Sequence, residues 1–97
     1  MNANQQNRSM SVETASSIII KPYITEKTFN LIEKENKLTF IVSEKATKDQ
    51  IVKALQILYE SQADEVNTAR TIQGKKAFIK IKAPEGAREL ATKMGLV

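Results

Sequence analysis

This 97-residue chain contains no cysteine, no histidine and no tryptophan. The missing thiols exclude disulfides, thiolate metal sites and cysteine nucleophiles. The missing imidazoles exclude histidine general bases, histidine-based triads and zinc–imidazole centres. Three glycines are too few for a glycine-rich phosphate loop. No pair of carboxylates is spaced to flank a cleft. Neither catalysis, a metal nor a cofactor is expected. No apolar run approaches the roughly 20 residues that cross a bilayer. The N-terminal stretch MNANQQNRSMSVETASS lacks the apolar core of a signal peptide. The expectation is an intracellular, soluble protein that does not insert into a membrane.

What the chain does contain is unevenly placed positive charge. Lys and Arg number 15 against 11 acids, a net charge of +4. Between Val66 and Lys82 stand Arg70, Lys75, Lys76, Lys80 and Lys82, with no acid among them. Cations aligned without acidic partners repel one another, and a polyanion relieves that repulsion while releasing its own counterions. The acids sit elsewhere, with Glu33 and Glu35 in one helical segment and Glu60, Asp64 and Glu65 after another.

Residues 1–17 are rich in Asn, Gln, Ser and Ala and nearly neutral, Arg8 standing against Glu13. Such a segment buries too little apolar surface to offset its ordering entropy, so a flexible arm is expected, or one that orders on a partner. Residues 18–97 then form a single domain. Ile18-Ile19-Ile20 reads as a short strand ending before Pro22. Thr25 is placed to cap a helix that starts at Glu26 and stops near Asn36. Lys37 to Ser43 alternates as a strand, Leu38, Phe40 and Val42 on one side and Thr39, Ile41 and Ser43 on the other.

Thr47 and Gln50 make a capping box for a helix from Lys48 to about Gln62, whose stripe is Ile51, Ala54, Leu55, Leu58 and Tyr59. Glu65–Ile72 and Lys75–Lys82 are two strands joined at Gln73-Gly74, where the turn demands positive φ. A last helix opens near Pro84 and Glu85 and buries Ala87, Leu90, Ala91 and Met94. The order is β-α-β-α-β-β with a C-terminal helix. This is an α+β fold with a four-stranded, mainly antiparallel sheet packed against helices.

On the last strand Ala77, Ile79 and Ile81 form a core face, whereas Lys76, Phe78, Lys80 and Lys82 point the other way. Cations mixed with an aromatic suit a surface that follows phosphates and stacks a base. The alternative is an edge strand whose lysines block sheet-to-sheet pairing, with Phe78 under a covering helix. Lys45, Lys48 and Lys53 surround the start of the second helix, where free amides favour an anion but Asp49 dilutes the charge. Lys21 and Lys27 flank the strand-to-helix turn. Asn67 and Thr68, short polar side chains beside the basic run, are candidates for hydrogen bonds to RNA backbone or 2′-OH groups; strand pairing is their other role.

The segments KPYITEKTFNLIEKENKLTFIVSEKATKDQIVKALQILY and DEVNTARTIQGKKAFIKI resemble the universal large-subunit ribosomal protein L23 family. The carrying pieces are Pro22 with Thr25-Glu26-Lys27, Phe40 and Val42, Ala46-Thr47-Lys48 before Ile51, Val66-Asn67-Thr68, and Gly74-Lys75-Lys76-Ala77. Each is weak alone, and their order over residues 18–82 is specific. The resemblance implies a non-catalytic structural protein on large-subunit rRNA, in the cytoplasm, beside neighbouring ribosomal proteins at the exit of the nascent-peptide tunnel. It also implies a share in the platform for the signal recognition particle and nascent-chain chaperones. In bacterial members an acid at the position of Glu26 docks the ribosome-bound chaperone; as a residue, Glu26 is simply a favourable first-turn charge. Bacterial members carry a long loop where Gln73-Gly74 closes tightly. Eukaryotic members carry a long basic N-terminal extension. The pattern resembles archaeal members, which moves the partner expected at Glu26 toward the signal recognition particle.

The expected rRNA contacts are Arg70, Lys75, Lys76, Lys80 and Lys82, with Lys21, Lys27, Lys45, Lys48, Asn67 and Thr68 supporting them. A protein-interaction subunit whose lysines only confer solubility is the rival reading; it predicts salt-insensitive association and no sedimentation with ribosomal particles. An RNA-recognition-motif domain is another, but its sheet should present several stacking aromatics, and this chain has three Phe and two Tyr in all.

Overall fold

Local signals start the helices of this fold. In the computed structural model, which describes residues 10–96, Thr25 and Thr47 lie in extended backbone and cap the helices that follow. Thr25 Oγ1 accepts from the Thr28 amide at 3.2 Å, and Thr28 Oγ1 accepts from the Thr25 amide at 2.7 Å. Thr47 and Gln50 repeat the exchange at 3.1 and 3.0 Å. Each box satisfies two amides the helix leaves free, and removing such a cap costs about 1 kcal/mol.

The elements in chain order are α1 (Val12–Ile18), β1 (Ile19–Pro22), α2 (Glu26–Glu35) and β2 (Lys37–Val42). They continue with α3 (Lys48–Tyr59), β3 (Ala63–Thr71), β4 (Gly74–Ile81) and α4 (Gly86–Lys93). The strands form one sheet in the order β1-β2-β4-β3, antiparallel at every pairing. The expected α+β architecture is the one observed.

Register sorts the side chains into two faces. Leu38 pairs with Ile79, Phe40 with Ala77 and Val66 with Ile79. This core face meets Ala15 and Ile18 of α1, Ile32 of α2, Ile51, Ala54 and Leu55 of α3, and Leu90 of α4 in one cluster. The Phe40 and Tyr59 rings stack with centroids 5.8 Å apart, and burial holds the Tyr59 phenol above its ordinary value of 10.0. The opposite, outer face carries Lys37, Thr39 and Ile41 of β2, paired with Lys80, Phe78 and Lys76 of β4. None of these outer-face residues belongs to the core cluster. All four described helices serve one side of the sheet.

At several points the structure departs from the expected boundaries. The boundary placed at Ile18 falls inside a folded helix. Ser11 caps α1, its Oγ accepting from the Thr14 amide at 3.1 Å, and α1 packs along α3. Ala15 and Ile18, one helical turn apart, are buried. A seven-residue helix with two buried side chains has little stability of its own, so it depends on that tertiary packing. The first nine positions of the expected arm lie outside the described residues.

The second predicted helix stops at Tyr59, short of Gln62, because Glu60 adopts a left-handed conformation (φ 55°) and its amide returns to Gln56 O. The hairpin turn sits one residue earlier than expected, with Ile72-Gln73 as its loop and Thr71 paired with Gly74. Gly74 has φ +122°, which L-residues rarely adopt. Gly86 serves close approach instead, since a Cβ there would come within 2.5 Å of Ile81 Cγ2. It lets α4 settle onto the end of β4.

Candidate nucleic-acid interface

The basic hairpin does not present its cations as one line. Alternation along a strand sends neighbours to opposite faces, and the register divides the five cations accordingly. Arg70 and Lys75 pair with each other on the core side of the sheet, at the hairpin end. There Lys75 Nζ donates to the Ala46 carbonyl at 2.7 Å and to the Glu44 carbonyl at 3.4 Å. Arg70 reaches the same loop, with Nη2 donating to Glu44 O at 3.4 Å and Nη1 lying 3.7 Å from Glu44 Oε1. That ion pair is exposed at both ends and contributes little to stability. The Lys75 ammonium, half-buried, is a clamp on the β2–α3 loop.

Replacing Lys75 by Met keeps the aliphatic stem and removes the donors. The expected result is a loss of about 1 kcal/mol in unfolding free energy, from a charge-assisted bond in a partly solvated setting. Urea denaturation measures it, and an unchanged midpoint would mean that the loop does not use the clamp.

The outer face gathers the rest. Lys76 and Lys80 stand there on β4 with Phe78 between them, and Lys37 faces Lys80 from β2. Lys21 joins from β1, paired with Ile41 beyond a bulge at Ile20. Tyr23 follows, its amide donating to Thr39 O at 2.9 Å. The Lys76 ammonium lies 3.8 Å from the centroid of the Tyr23 ring, a cation–π contact that fixes the long side chain over the sheet. Asn67 pairs with Phe78 from the other side and is exposed. The acids near this face are Glu35, 3.2 Å from Lys37 Nζ, and Glu65, the cross-strand partner of Lys80. Four lysines therefore share one face with two aromatics, and two of them, Lys37 and Lys80, have an acid beside them.

Other expected contacts lie apart from that face. Thr68 points to the core side opposite Ala77, away from Asn67. Lys82 is exposed just past the end of β4, where its amide donates to Gln62 O at 2.9 Å. Lys45 and Lys48 are exposed around the start of α3, and Lys27 and Glu26 in the first turn of α2. Lys37 and Tyr23 were not singled out from the sequence. Lys37 has the parity of Thr39 and Ile41, which is enough to place it. Tyr23 follows a bulge and a proline, where parity is lost. Phe78, weighed as a core residue beneath a helix, lies outside the helix-covered core. Among the described residues no group of His, Cys, Asp and Glu is placed to hold a metal ion, and no helix is long and apolar enough to cross a membrane.

Comparison with known proteins identifies the family of the chain. The family model described as "Ribosomal protein L23" matches residues 17–94. The chain is 52% identical over 81 residues to the large ribosomal subunit protein uL23 of Methanobrevibacter smithii, covering 82% of this chain and 94% of that protein. Its identity to the uL23 of Methanococcus vannielii is 45% over 83 residues, or 84% of this chain and 96% of that one. With the uL23 of Methanothermobacter thermautotrophicus it is 38% over 81 residues, again 82% and 94%. All three relatives come from methanogenic archaea, in keeping with the archaeal pattern of the tight hairpin and the short, neutral N-terminal segment. The match spans both strands of the basic hairpin and every outer-face residue named above, and the chain belongs to the ribosomal protein L23 family.

Proposed function

We propose that this protein is a structural constituent of the large ribosomal subunit that lies against rRNA through the outer face of its sheet. One observation carries the reading: Lys21, Lys37, Lys76 and Lys80 converge on a face that the core does not use. A basic sheet face that none of the described helices covers holds phosphates without enclosing them, which fits a role in positioning and not in chemistry. Arg70, on the core side of the sheet, and Lys82, past the end of β4, offer phosphate contacts off that face, and Lys75 turns its ammonium to the loop. Lys27, Lys45 and Lys48 ring the helix starts and reach phosphates on another side of the molecule. Asn67 takes the hydrogen-bonding role, while Thr68 is left to strand pairing.

Family membership supports the finer reading. The protein works on the cytoplasmic ribosome, beside neighbouring ribosomal proteins at the tunnel exit, and contributes to the platform for the signal recognition particle and nascent-chain factors. Glu26, exposed in the first turn of α2, is available to a partner without disturbing the capping box behind it. Sucrose-gradient fractionation of cell lysate tests the assignment. The chain should travel with large-subunit particles and leave them only at high salt. Sedimentation at the top of the gradient in low salt would refute it.

A further inference from the structure

We infer that the outer face receives an unpaired nucleotide, its base stacked on Phe78, its flanking phosphates on Lys76 and Lys80, and its polar edge met by Asn67. The inference rests on the rRNA-binding reading and specifies what kind of RNA that surface takes. Phe78 sits on β4, one of the two inner strands, half-buried and facing away from the core cluster. A large apolar ring at the centre of a basic face gains nothing from a phosphate backbone. It gains from a base plane.

The surroundings of the ring point the same way. Lys76 and Lys80 lie two residues to either side of Phe78, about 7 Å along the strand in each direction. That places cations before and after the ring, as a strand crossing it would require. The other aromatic of this face, Tyr23, is already engaged by the Lys76 ammonium at 3.8 Å. Among the described residues Phe78 has no aromatic or cationic partner. Thr39 lies in register with Phe78 on one side and bonded through its carbonyl to Tyr23 on the other. It is 1% exposed, and among the described residues its Oγ1 has no hydrogen-bond partner. Asn67, across from Phe78 on β3, carries both a donor and an acceptor beside the ring. Bases within a duplex cannot offer a free face to such a ring, whereas single-stranded loops and bulges can.

Because the chain has no tryptophan, Phe78→Trp introduces a single reporter at the proposed contact. Its fluorescence should be quenched by a single-stranded adenine oligonucleotide and not by an RNA duplex. In the natural background, Phe78→Leu should weaken single-strand binding by about five- to a hundredfold, the worth of one stacked base. Phe78→Tyr, which restores the ring, should recover it. Asn67→Ala should weaken it less, by about threefold. The salt slope should stay unchanged in all four variants, since none removes a cation. Wild-type binding to large-subunit rRNA is measured first, and its absence overturns the rRNA reading itself. If the wild type binds but Phe78→Leu binds as well, or Phe78→Trp is not quenched at saturation, or the duplex competes better than the single strand, the stacking site alone is overturned.

Discussion

Replacing Lys76 and Lys80 together by alanine should flatten the salt dependence of rRNA binding by about 2 units and weaken binding about a hundredfold near 0.1 M salt. The estimate follows from counterion release. Each phosphate neutralised returns close to one condensed cation to solution, so each contact is worth about one log unit between molar and decimolar salt. Both lysines stand on the outer face, and their partners there are the Tyr23 ring and the register neighbours Lys37 and Glu65. Neither ammonium donates to the fold as Lys75 does. Their removal should therefore leave the unfolding midpoint nearly unchanged while affinity collapses. Arginine at both positions should retain the slope. Lys75→Met, tested alongside, should lower stability and leave the slope alone. An unaltered slope in the alanine pair would move the RNA contact off this face and onto the helix starts around Lys27, Lys45 and Lys48.

Much of this arrangement is legible in the chain because it is encoded locally. Both threonine caps, the stripe of α3 and the alternation of β2 and β4 rest on spacing within one element. The division of the cations is legible too. Lys75 has the parity of Ala77, Ile79 and Ile81 and must lie on their side of the sheet; reading the five cations as a line overlooks it. What resists a sequence reading depends on contacts far along the chain. Nothing near Val12–Ile18 announces that α3 will shelter Ala15 and Ile18. No glycine marks the left-handed turn at Glu60, which is held by its amide bond to Gln56 O and by the strand that begins at Ala63. Tyr23 reaches the outer face only because the bulge at Ile20 resets the register of β1.

The division of labour between the faces follows from sheet physics. A four-stranded sheet has one side to give to a core of this size, and all four described helices occupy it. The other side must remain wet or meet a partner. Lysines keep it soluble when alone. On the proposed reading the same lysines supply phosphate contacts on assembly. The edge-strand role weighed for the β4 lysines does not apply, because β4 lies between β2 and β3 inside the sheet.

The largest loss of stability should come from Asn36, a residue remote from that surface that locks the helical layer to the end of the sheet. It closes α2 in the left-handed region at φ 58°. Its side-chain amide donates to Ile81 O at 2.8 Å and Ala83 O at 2.9 Å, and its carbonyl oxygen accepts from the Ala87 amide at 2.8 Å. One side chain thus ties the end of α2 to the end of β4 and the start of α4. Asn36→Gly keeps the backbone conformation and removes the three bonds. The expected cost is about 2–4 kcal/mol, since each net bond is worth about 1 kcal/mol and the half-buried partners are left unpaired. Asn36→Ala should cost about 1 kcal/mol more, because a Cβ is disfavoured at that φ. For a domain with about 5–15 kcal/mol in total, either change is severe. Urea unfolding of the two variants separates the bonding term from the conformational one. If glycine costs less than about 0.5 kcal/mol, the three bonds do not hold α4 against the sheet, and the close packing of Gly86 on Ile81 must do so unaided.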